Sequence, residues 1–477
     1  MRREDAGLPE SVAAPPAPDA IATTEVHFRC REDLSGSSGG RPQAAPSRSL
    51  SAGAVPTRVR PVRPGLGRSI DVSALAADTP VRVRAARSNG SPPGRGEGQA
   101  MRALVVGCGE VGQEVVRDLG RYGPFSEVVV ATRDPDRARK AVEGIGGKVR
   151  VAFERVEATD AVALESLMRG GFAVAANCVG PNYLHEVRIA RCAIAARLPL
   201  VDVNDDYETT FEMYALHGDA VAAGIPVVMG LGASPGINNV LVRAAANQLD
   251  EVDEIDTAWI MTGPDPGGPA LARHLLHSLS DRALTWQDGR LVEVRSFVDG
   301  RELIRFPDPV GEIEVFHIGH PEPITLSRSF PGARTIVDRA SFAPPIVNEW
   351  IVQLGTMVRD AGGAVEVAGI PIDPMDFAAA LFRRKCKAIR GVPLEGALRV
   401  AVSGRSGGRP RRIVFTSSGR IGLGTGIPAA VGAAMLSQGK IDGVGVLAPE
   451  ACIDPDEFLY ELFQRRTVGK LNGWVEG

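Results

Sequence analysis

The glycines at Gly107, Gly109 and Gly112 are spaced as a nucleotide-binding turn requires. They lie in the sequence "GCGEVG", between the apolar run 102–107 and a helix-like stretch at 111–121. The first glycine permits a tight turn, the second lets a diphosphate approach the backbone, and the third lets helix and strand pack closely. Unpaired amides at the start of the helix would then face the phosphates. We therefore predict that Gly107, Gly109, Glu110, Val111 and Gly112 bind a dinucleotide.

The residues that end the second apolar run indicate which dinucleotide is bound. An acidic side chain there would hold the ribose 2′-hydroxyl of NAD, but the sequence reads Ala131-Thr132-Arg133-Asp134. Thr132 is a neutral hydrogen-bonding residue, and Arg133 can pair with the 2′-phosphate of NADP. NADP is therefore the predicted cofactor. NAD stays open as the alternative, because a shift of one residue in register would bring Asp134 to the ribose.

Polar clusters follow the later apolar runs of this half. They are "NCVGPN" at 177–182, "DVNDD" at 202–206 and "GLGASPG" at 230–236. Ligands of open parallel sheets bind outside the carboxyl ends of the strands, so these clusters and the glycine turn predict one long crevice. A dinucleotide and a substrate would share it. Each cluster also fits a plain turn, and Asp202 could simply cap the helix that follows it.

The elements that must position these residues alternate along the chain. Apolar runs lie at 102–107, 127–132, 148–154, 172–178, 198–204 and 225–230, and helix-like stretches lie at 111–121, 135–144, 160–169, 183–196 and 207–223. The connections are too long for hairpins, which predicts a parallel sheet with helices on both faces. The fold class is therefore α/β, with a doubly wound parallel Rossmann sheet as the NAD(P)-binding domain at 101–235.

Beyond residue 236 the pattern changes to that of an α+β domain. Strand-like runs at 254–262, 312–319, 323–330, 334–342, 397–404 and 411–418 predict a mixed or antiparallel sheet, with helices at 270–279, 345–359 and 374–388. A helix with small residues on one face is predicted at 426–441. Asp454 and Pro455 fit the cap and first turn of another helix. The predicted domains are 236–420 for substrate binding and dimerisation, and 421–477 for C-terminal helices.

Composition excludes several classes of protein. The chain has 477 residues with 54 Lys and Arg against 57 Asp and Glu, so its charge favours neither nucleic acid nor an anionic membrane as partner. The six cysteines form no Cys-x-x-Cys pair, which fits a reduced intracellular protein. No apolar run reaches the length of about 18 residues that a membrane-spanning helix needs. We expect a cytoplasmic protein without a metal site.

Residues 1–100 differ in composition from the rest. They contain 12 of the 35 prolines and 14 arginines but no lysine. Too little apolar surface is available to offset the chain entropy, so we expect this segment to be disordered. It is either an Arg-rich tail with weak affinity for polyanions or the result of assigning an upstream start. We favour translation from Met101, because the folded pattern begins there.

Several motifs together resemble the saccharopine dehydrogenase-like group, which includes saccharopine reductase, lysine 6-dehydrogenase and carboxynorspermidine synthase. They are the glycine turn, "NCVGP", "VDVNDD", "GLGASPGINN", "GHPEPITLSRSF" and "TGIPAAVGAAMLSQGKIDGVGVLAPE", and they cover about 101–470. The resemblance implies a substrate domain inserted after the sixth Rossmann strand, C-terminal helices that return to the first domain, and homodimers. It also implies hydride transfer between NAD(P)(H) and the C–N bond of an amino acid.

Chemistry at a C–N bond needs a cation for the substrate carboxylate and an acid or base for the nitrogen. We predict that Arg328 binds the carboxylate and that His320 or Glu322 transfers the proton, although a structural role fits these two about as well. His317 is interpreted as a core residue, and Cys178 as a packed residue beside the cofactor. The other predicted site residues are Asn177, Gly180 and Pro181 beside the nicotinamide, Asp202 in catalysis, and Asn182, Asp205 and Asp206 in substrate binding.

The leading hypothesis is an oxidoreductase that acts on saccharopine or a lysine-derived imine. The same fold could instead act on a polyamine precursor or on a lipid enoyl or keto group. A third hypothesis is a non-catalytic protein that senses a nucleotide, but the polar residues of "GHPEPITLSRSF" count against it. A pocket with arginine and acids would indicate an amino acid, whereas an apolar tunnel would indicate a lipid.

Overall fold

The computed structural model describes residues 101–145, 149–465 and 471–476. The interpretation of residues 1–100 as a disordered tail lies outside these ranges. The described chain forms a seven-stranded sheet, a nine-stranded sheet and a two-stranded hairpin. Within these ranges, no helix combines the length and apolar composition that crossing a membrane requires.

The first part of the chain alternates strands and helices. Its elements are β1 (Arg102–Val106), α1 (Glu110–Tyr122), β2 (Glu127–Thr132), α2 (Pro135–Ala141), β3 (Arg150–Arg155), α3 (Ala161–Met168), β4 (Val174–Asn177), α4 (Asn182–Ala196), β5 (Leu200–Asp202), α5 (Tyr207–Ala215), α6 (His217–Ala223), β6 (Pro226–Val228) and α7 (Ile237–Ala246).

The remaining elements form the second part and the C-terminal region. Those of the second part are β7 (Glu251–Thr262), α8 (Pro269–Ser278), β8 (Arg282–Gln287), β9 (Arg290–Arg295), β10 (Glu302–Arg305), β11 (Glu312–His317), α9 (Glu322–Ser329), β12 (Thr335–Ala343), α10 (Ile346–Ala361), β13 (Val365–Val367), β14 (Ile370–Ile372), α11 (Pro374–Lys387), β15 (Gly396–Ser406) and β16 (Arg409–Gly419). Those of the C-terminal region are α12 (Ile421–Ser437), β17 (Gly445–Leu447), α13 (Pro449–Cys452), α14 (Pro455–Gln464) and β18 (Asn472–Glu476).

The seven-stranded sheet has the order β17-β6-β5-β4-β1-β2-β3, and all its strand pairs are parallel. Successive residues of β1 enter opposite cores: Leu104 packs into one apolar cluster and Val105 into the other. The sheet is therefore buried on both faces by helices, as parallel sheets require. The order of β1 to β6 is that of a Rossmann domain, which confirms the predicted doubly wound sheet.

The C-terminal helices return to this sheet, as the resemblance implies. Helix α12 packs along α1, and Gly426 permits the close approach. A Cβ atom at Gly426 would lie 2.7 Å from Glu114 Cβ and 2.9 Å from the Val111 carbonyl oxygen. The strand β17 then adds to the sheet edge beside β6. At the start of α14, the Asp454 side chain accepts a hydrogen bond from the Glu457 amide at 3.0 Å, so it is the N-cap that the sequence predicts.

The second sheet runs in the order β10-β11-β12-β7-β15-β16-β18, and β8 and β9 extend it beside β12. Strand β12 is parallel to β7, while β15 is antiparallel to both β7 and β16. The inserted domain is therefore of α+β character with a mixed sheet, as predicted. Strand β18 pairs with β16 in this sheet, although the sequence analysis placed it with the returning helices.

The predicted strand at 323–330 is wrong, because these residues form the helix α9. Pro321 and Pro323 lie at its start, where the missing N–H groups would have had no helical acceptor. Residues 322–327 are all buried, so the helix shows no alternation of buried and exposed faces over its first turns. Hydrophobic periodicity could not distinguish such a helix from a buried strand.

Candidate dinucleotide and substrate site

A cleft with about 1590 Å³ of open space separates the carboxyl ends of the Rossmann strands from the second sheet. The glycine turn and the turns after β4, β5 and β6 form one wall, and β7, α8 and β15 form the other. This volume includes the space that is open to solvent at the mouth of the cleft. The polar clusters that the sequence placed at strand ends thus lie around one crevice.

The geometry of the glycine turn fits a bound diphosphate. Gly107 has a φ of +89°, and a Cβ there would lie 2.8 Å from Val179 Cγ2. A Cβ at Gly112 would lie 2.2 Å from the Gly107 carbonyl oxygen, so close packing requires glycine at this position. Gly109 is the N-cap of α1 and provides no side-chain acceptor, and a Cβ there would meet no atom within 4 Å. The first amides of α1 therefore face open space that a diphosphate can occupy.

Glu110 and Val111 line the cleft beside Gly109, as predicted for the cofactor region. Burial raises the pKa of the Glu110 carboxyl, and the nearby Asp265 carboxylate raises it further. Arg420, at the start of α12, also lines the cleft and pairs with Asp265 at 3.4 Å. The two domains therefore meet through charged groups at the entrance of the dinucleotide region.

The end of β2 presents a cation and no free carboxylate. Arg133 is exposed, and its guanidinium takes part in no ion pair within the described chain. The Arg155 guanidinium adds a second positive charge, since it donates to the Arg133 carbonyl oxygen at 2.7 Å. Asp134 is the N-cap of α2, and its carboxylate accepts a hydrogen bond from the Arg137 amide at 3.0 Å. This capping role directs the Asp134 carboxylate towards α2.

The site residues predicted in the turn between β4 and α4 lie partly at the cleft and partly in the interior. Gly180, Pro181 and Asn182 line the cleft. Asn177 is buried behind them and shapes the turn, because its side-chain oxygen accepts from the Val179 amide at 3.0 Å. Cys178 packs at the cleft wall, and burial raises the pKa of its thiol, so the thiol stays protonated. This agrees with its interpretation as a packed residue.

The three aspartates after β5 have different surroundings. Asp205 lines the cleft, and its Oδ1 atom is buried without a hydrogen-bond donor in the described structure. Asp206 is buried beneath it and accepts hydrogen bonds from the Tyr183 amide at 2.8 Å and from Ser278 Oγ. Asp202 is fully enclosed and does not line the cleft. The structure therefore gives only Asp205 direct access to a substrate.

His320 and Glu322 form a buried hydrogen-bonded pair at the floor of the cleft. His320 lines the cleft, and its Nδ1 lies 2.8 Å from Glu322 Oε2 and 3.6 Å from Asp338 Oδ2. Burial alone would lower the pKa of His320, but Glu322 and Asp338 outweigh it and raise the pKa to about 9. His320 is therefore a cation at neutral pH. Glu322 acts through His320, and its other oxygen accepts a hydrogen bond from Ser234 Oγ.

His274, on α8, is a cleft residue that the sequence analysis missed. Its Nδ1 lies 2.8 Å from Asp206 Oδ1 and 3.3 Å from Asp205 Oδ1. Burial opposes its protonation, but Asp205 and Asp206 outweigh burial and raise the pKa of His274. Its ring centroid lies 6.2 Å from that of His320, across the cleft floor. A lone histidine in an apolar helix gives no sequence signal, because it resembles an ordinary core residue.

Trp259 and Asp338 complete the surroundings of His320, and they were not predicted either. The Trp259 ring lies 5.3 Å from the His320 ring, and its indole N–H donates to Asp338 Oδ2 at 3.3 Å. Burial raises the pKa of Asp338 well above its ordinary value, and Glu322 adds to this effect. Asp338 therefore favours its protonated form and contributes little negative charge to this floor.

Arg328 and His317 do not reach the cleft. The Arg328 guanidinium is exposed at the end of α9 and stacks over the Tyr214 ring at 4.2 Å. The helical form of α9 explains this position, since Arg328 leaves the helix on its exposed side. His317 is buried in β11, and burial together with Arg339 lowers its pKa to about 4. Its interpretation as a neutral core residue fits these surroundings.

Two sets of described side chains have ligand atoms within 4.8 Å of one another, as a metal site would require: Asp205, His274 and His320, and His320, Glu322 and Asp338. In both sets, the histidine Nδ1 atoms already face carboxylates. The geometry is also that of hydrogen-bonded histidine–carboxylate pairs. The absence of a metal from this site stays a prediction.

Fold and cleft together define a two-domain protein whose Rossmann dinucleotide site faces a second, mixed sheet. Residues 103–228 match the family model of the saccharopine dehydrogenase NADP binding domain. A curated relative, carboxyaminopropylagmatine dehydrogenase of Synechocystis sp., is 25% identical over 391 residues, which cover 76% of this chain and 95% of the relative.

Among solved structures, apo saccharopine dehydrogenase (L-Glu forming) from Saccharomyces cerevisiae matches with a TM-score of 0.56 at 15% identity. The match covers 79% of this chain and 100% of that chain, and it shows that the two proteins share a fold. These comparisons confirm the resemblance inferred from the sequence motifs. The chain is therefore similar to saccharopine dehydrogenase-like NAD(P) oxidoreductases, and its first domain matches their NADP-binding domain.

Proposed function

We propose that this protein transfers hydride at the C–N bond of an amino-acid-derived secondary amine that also carries a cationic chain. The observation that carries the proposal is the arrangement of Asp205, His274 and His320 at the floor of the cleft. Both Nδ1 atoms face carboxylates, and neither Nε2 atom hydrogen-bonds to another described residue. The two Nε2 atoms are therefore available to a substrate, and Asp205 Oδ1 lies in an ion pair with His274 Nδ1 at 3.3 Å without a hydrogen bond.

The charge of this floor favours a substrate with a positive group. Four carboxyl groups (Asp205, Asp206, Glu322 and Asp338) surround two histidines in the described structure. With both histidines and Asp338 protonated, the carboxylates still exceed the cations by one. Asp205 Oδ1 makes an ion pair with His274 at 3.3 Å but no hydrogen bond, so an ammonium or protonated secondary amine would give the Asp205 carboxylate a hydrogen-bonded partner.

His320 is suited to hold or move the proton of the reacting nitrogen. In the oxidative direction, the amine carbon gives a hydride to the oxidised dinucleotide, the nitrogen loses a proton, and water hydrolyses the resulting imine to a carbonyl compound and an amine. Glu322 fixes the ring and favours its protonated form, so His320 can donate to the nitrogen in the reductive direction.

The opposite wall supports an aliphatic substrate. Side chains of β7, α8 and β15 present an apolar surface that includes Ile260, Met261, Leu275 and Leu398. Methylene groups of a polyamine-like chain would pack against this surface while its nitrogen binds Asp205. The absence of Arg328 from the cleft removes the main support for a dicarboxylic amino acid such as saccharopine. The name of the Synechocystis relative specifies a substrate with an agmatine group, which agrees with this choice.

We also propose that NADP is the preferred cofactor. Arg133 and the neighbouring Arg155 provide positive charge at the end of β2, where a 2′-phosphate would lie. Asp134, the residue that kept NAD open as an alternative, directs its carboxylate to the helix cap. A ribose 2′-hydroxyl therefore finds no free acidic side chain among Thr132, Arg133 and Asp134.

The experiment is an assay of reduced-dinucleotide formation by the purified full-length chain. Carboxyaminopropylagmatine, saccharopine and lysine would each be offered with NADP+ and with NAD+. We expect turnover with carboxyaminopropylagmatine and little with saccharopine. The Asp205→Asn variant should lower kcat/KM for this substrate by about tenfold or more, because it removes the charge that pairs with the amine.

The matched control is Asp219→Asn, which changes an exposed aspartate of α6. It should leave kcat/KM unchanged, and neither substitution should alter the Kd of NADPH. Preferred turnover of saccharopine would overturn the proposed substrate class. Turnover of none of the three amines, with NADPH still bound, would contradict the proposed reaction and leave the dinucleotide site intact.

A further inference from the structure

Two buried carboxyl groups lie behind the cleft wall and have no part in the proposed chemistry. Glu186 lies on α4 and Asp202 ends β5, and both side chains are fully enclosed. Glu186 Oε1 and Asp202 Oδ2 have no hydrogen-bond partner in the described structure. The two carboxyl groups are neighbours, because Asn177 pairs with Asp202 between β4 and β5 and also donates to Glu186.

Two carboxylates cannot hydrogen-bond to each other, because both are acceptors only. These two unpartnered oxygens can therefore satisfy each other only if one of the carboxyl groups carries a proton. Removal of both charges from water without a cation beside them would cost several kcal/mol, on the order expected for each buried ion. A single shared proton leaves one delocalised negative charge and gives each facing oxygen a partner.

We propose that Glu186 and Asp202 share one proton, with Glu186 as the acid, and that this pair holds the wall of the dinucleotide cleft in position. The inference concerns dinucleotide binding, so it is independent of the substrate proposed above. It also assigns Asp202, which the sequence suggested as a catalytic residue, a positioning role.

The hydrogen bonds of Glu186 show what the pair holds on one side. Its Oε2 accepts from Asn177 Nδ2 at 2.8 Å and from Asn182 Nδ2 at 2.9 Å. These asparagines lie at the two ends of the turn that places Gly180 and Pro181 in the cleft. Glu186 therefore fixes the two ends of the turn, because one of its carboxylate oxygens accepts a hydrogen bond from each end.

The hydrogen bonds of Asp202 hold the next two strand ends. Its Oδ1 accepts from the Asn204 amide at 2.9 Å and from the Gly230 amide at 2.8 Å. The first bond shapes the turn that leads to Asp205, and the second ties the end of β6 to β5. Through the shared proton, the ends of β4, β5 and β6 become one connected unit.

The charged and titratable groups around Glu186 and Asp202 are consistent with one proton shared by the two side chains. Burial is the main cause that raises the pKa of Glu186, followed by the negative charge of Asp202. Burial also raises the pKa of Asp202 to about 6, although its amide donors and Glu186 lower it. The neighbouring Cys178 thiol is neutral, and Asp205 adds only negative charge. Among the described residues, no cationic group lies near the pair that could take the place of the shared proton.

Glu186→Gln tests the proposed protonation state. A glutamine amide copies the acid, because its oxygen can accept from Asn177 and Asn182 while its NH₂ donates to Asp202. We expect the Kd of NADPH to stay within about twofold of the unmodified chain. Glu186→Ala leaves the two asparagine donors and Asp202 without partners, so it should raise that Kd by about tenfold, or about 1.4 kcal/mol. Glu165→Gln on α3 is the control, since Glu165 pairs with Arg169 and does not line the cleft, and it should leave the Kd of NADPH unchanged.

The double variant Glu186→Gln/Asp202→Asn gives a sharper test. Asp202→Asn alone retains a donor–acceptor pair, since its NH₂ can donate to an ionised Glu186. In the double variant two NH₂ groups face each other, so binding should weaken by about tenfold more than the two single effects combined. If the effects of the two single substitutions on NADPH binding simply add up in the double variant, the proposal of a shared proton is overturned.

An infrared measurement keeps the inference testable if the double variant does not fold. The unmodified chain at neutral pH should show the carbonyl stretch of a protonated carboxylic acid, and the difference spectrum against Glu186→Gln should contain this band. A difference spectrum without it would overturn the assignment. Loss of NADPH binding by Glu186→Gln to the same degree as by Glu186→Ala would also overturn it.

Discussion

Glu322→Gln should lower the pKa of His320 and leave its hydrogen bond in place. The glutamine keeps an acceptor near His320 Nδ1 but removes the negative charge that lies 2.8 Å from it. A carboxylate at this distance typically raises the pKa of a cationic partner by about one to three units. Asp338 and Asp205 remain nearby, so the pKa of His320 should fall from about 9 towards its ordinary value of 6.5.

The size of the effect follows from the pKa of the unmodified chain. A pKa of about 9 against an ordinary 6.5 means that folding favours protonated His320 by about 3 kcal/mol. Because the folded-state pKa is raised, this contribution is complete below pH 6.5 and is lost as the pH rises through about 9. The folded state of the Glu322→Gln variant should therefore lose its His320 proton at a lower pH than the unmodified chain does.

Tryptophan fluorescence offers a direct assay, since the Trp259 and His320 rings lie 5.3 Å apart. A protonated imidazole quenches a neighbouring indole, so emission should rise with a midpoint near pH 9 in the unmodified chain. Trp259→Phe should lack this transition, which assigns it. Urea denaturation at pH 6.5 and pH 9.5, compared with His320→Gln, measures the associated change in the free energy of unfolding.

The matched control is Glu293→Gln, which removes a surface carboxylate paired with Arg282 at 2.6 Å. It should leave the fluorescence midpoint unchanged. The reasoning would be refuted if Glu322→Gln also kept the midpoint near pH 9, because Glu322 would then not be the main source of the raised pKa.

Three further predictions concern the glycine turn and the choice of dinucleotide. Gly109→Ala should fold normally, since its Cβ meets no atom within 4 Å, but should weaken NADPH binding by about tenfold or more by blocking the diphosphate. Gly112→Ala should instead destabilise the fold by about 3 kcal/mol, because its Cβ would lie 2.2 Å from the Gly107 carbonyl oxygen. Arg133→Asp should raise the Kd of NADPH at least about tenfold more than that of NADH, while Arg139→Asp, a control on α2, should not discriminate.

Titration of each dinucleotide and thermal denaturation of each variant separate these outcomes. Unchanged NADPH affinity in Gly109→Ala would contradict the placement of the diphosphate at the start of α1. Equal weakening of NADPH and NADH by Arg133→Asp would contradict the proposed cofactor preference. Normal stability of Gly112→Ala would show that the contact between α1 and the turn can widen.

Local sequence patterns were sufficient to predict the Rossmann sheet. Five of its first six strands contain apolar residues buried in the sheet, such as β1 with Leu104 and Val105, whereas the edge strand β3 has no fully buried residue. Strand β17 has only three residues, and its pairing with β6 depends on a contact more than two hundred residues distant in sequence. Helix α9 was mistaken for a strand because residues 322–327 are all buried, so polar and apolar residues do not alternate with the period of a helix.

The site was predictable to the extent that backbone geometry determines it. The glycine turn and the strand-end clusters were found because glycine spacing and strand ends have local signatures. Two partners of His320 that were missed, Trp259 and Asp338, come from β7 and β12, and His274 comes from α8. Such side chains meet only after the inserted domain has packed, so their proximity leaves no pattern along the sequence. Arg328 was misplaced for a related reason, since its direction depends on the helical form of α9.

The two domains therefore contribute different groups to one cleft: the Rossmann domain binds the dinucleotide, and the inserted domain provides the histidines. The Rossmann domain presents the start of α1 to the dinucleotide through backbone groups, and buried carboxyl groups such as Glu186 support its walls. The inserted domain presents His274 and His320, whose protonation is set by carboxylates behind them. A change in the Rossmann wall should thus alter dinucleotide affinity without moving the titration of His320. A change behind His320 should alter proton transfer more than dinucleotide affinity, because the two networks are joined only indirectly in the described structure: the Asn204 amide donates to Asp202, and the Asn204 side-chain oxygen accepts from the Asp206 amide.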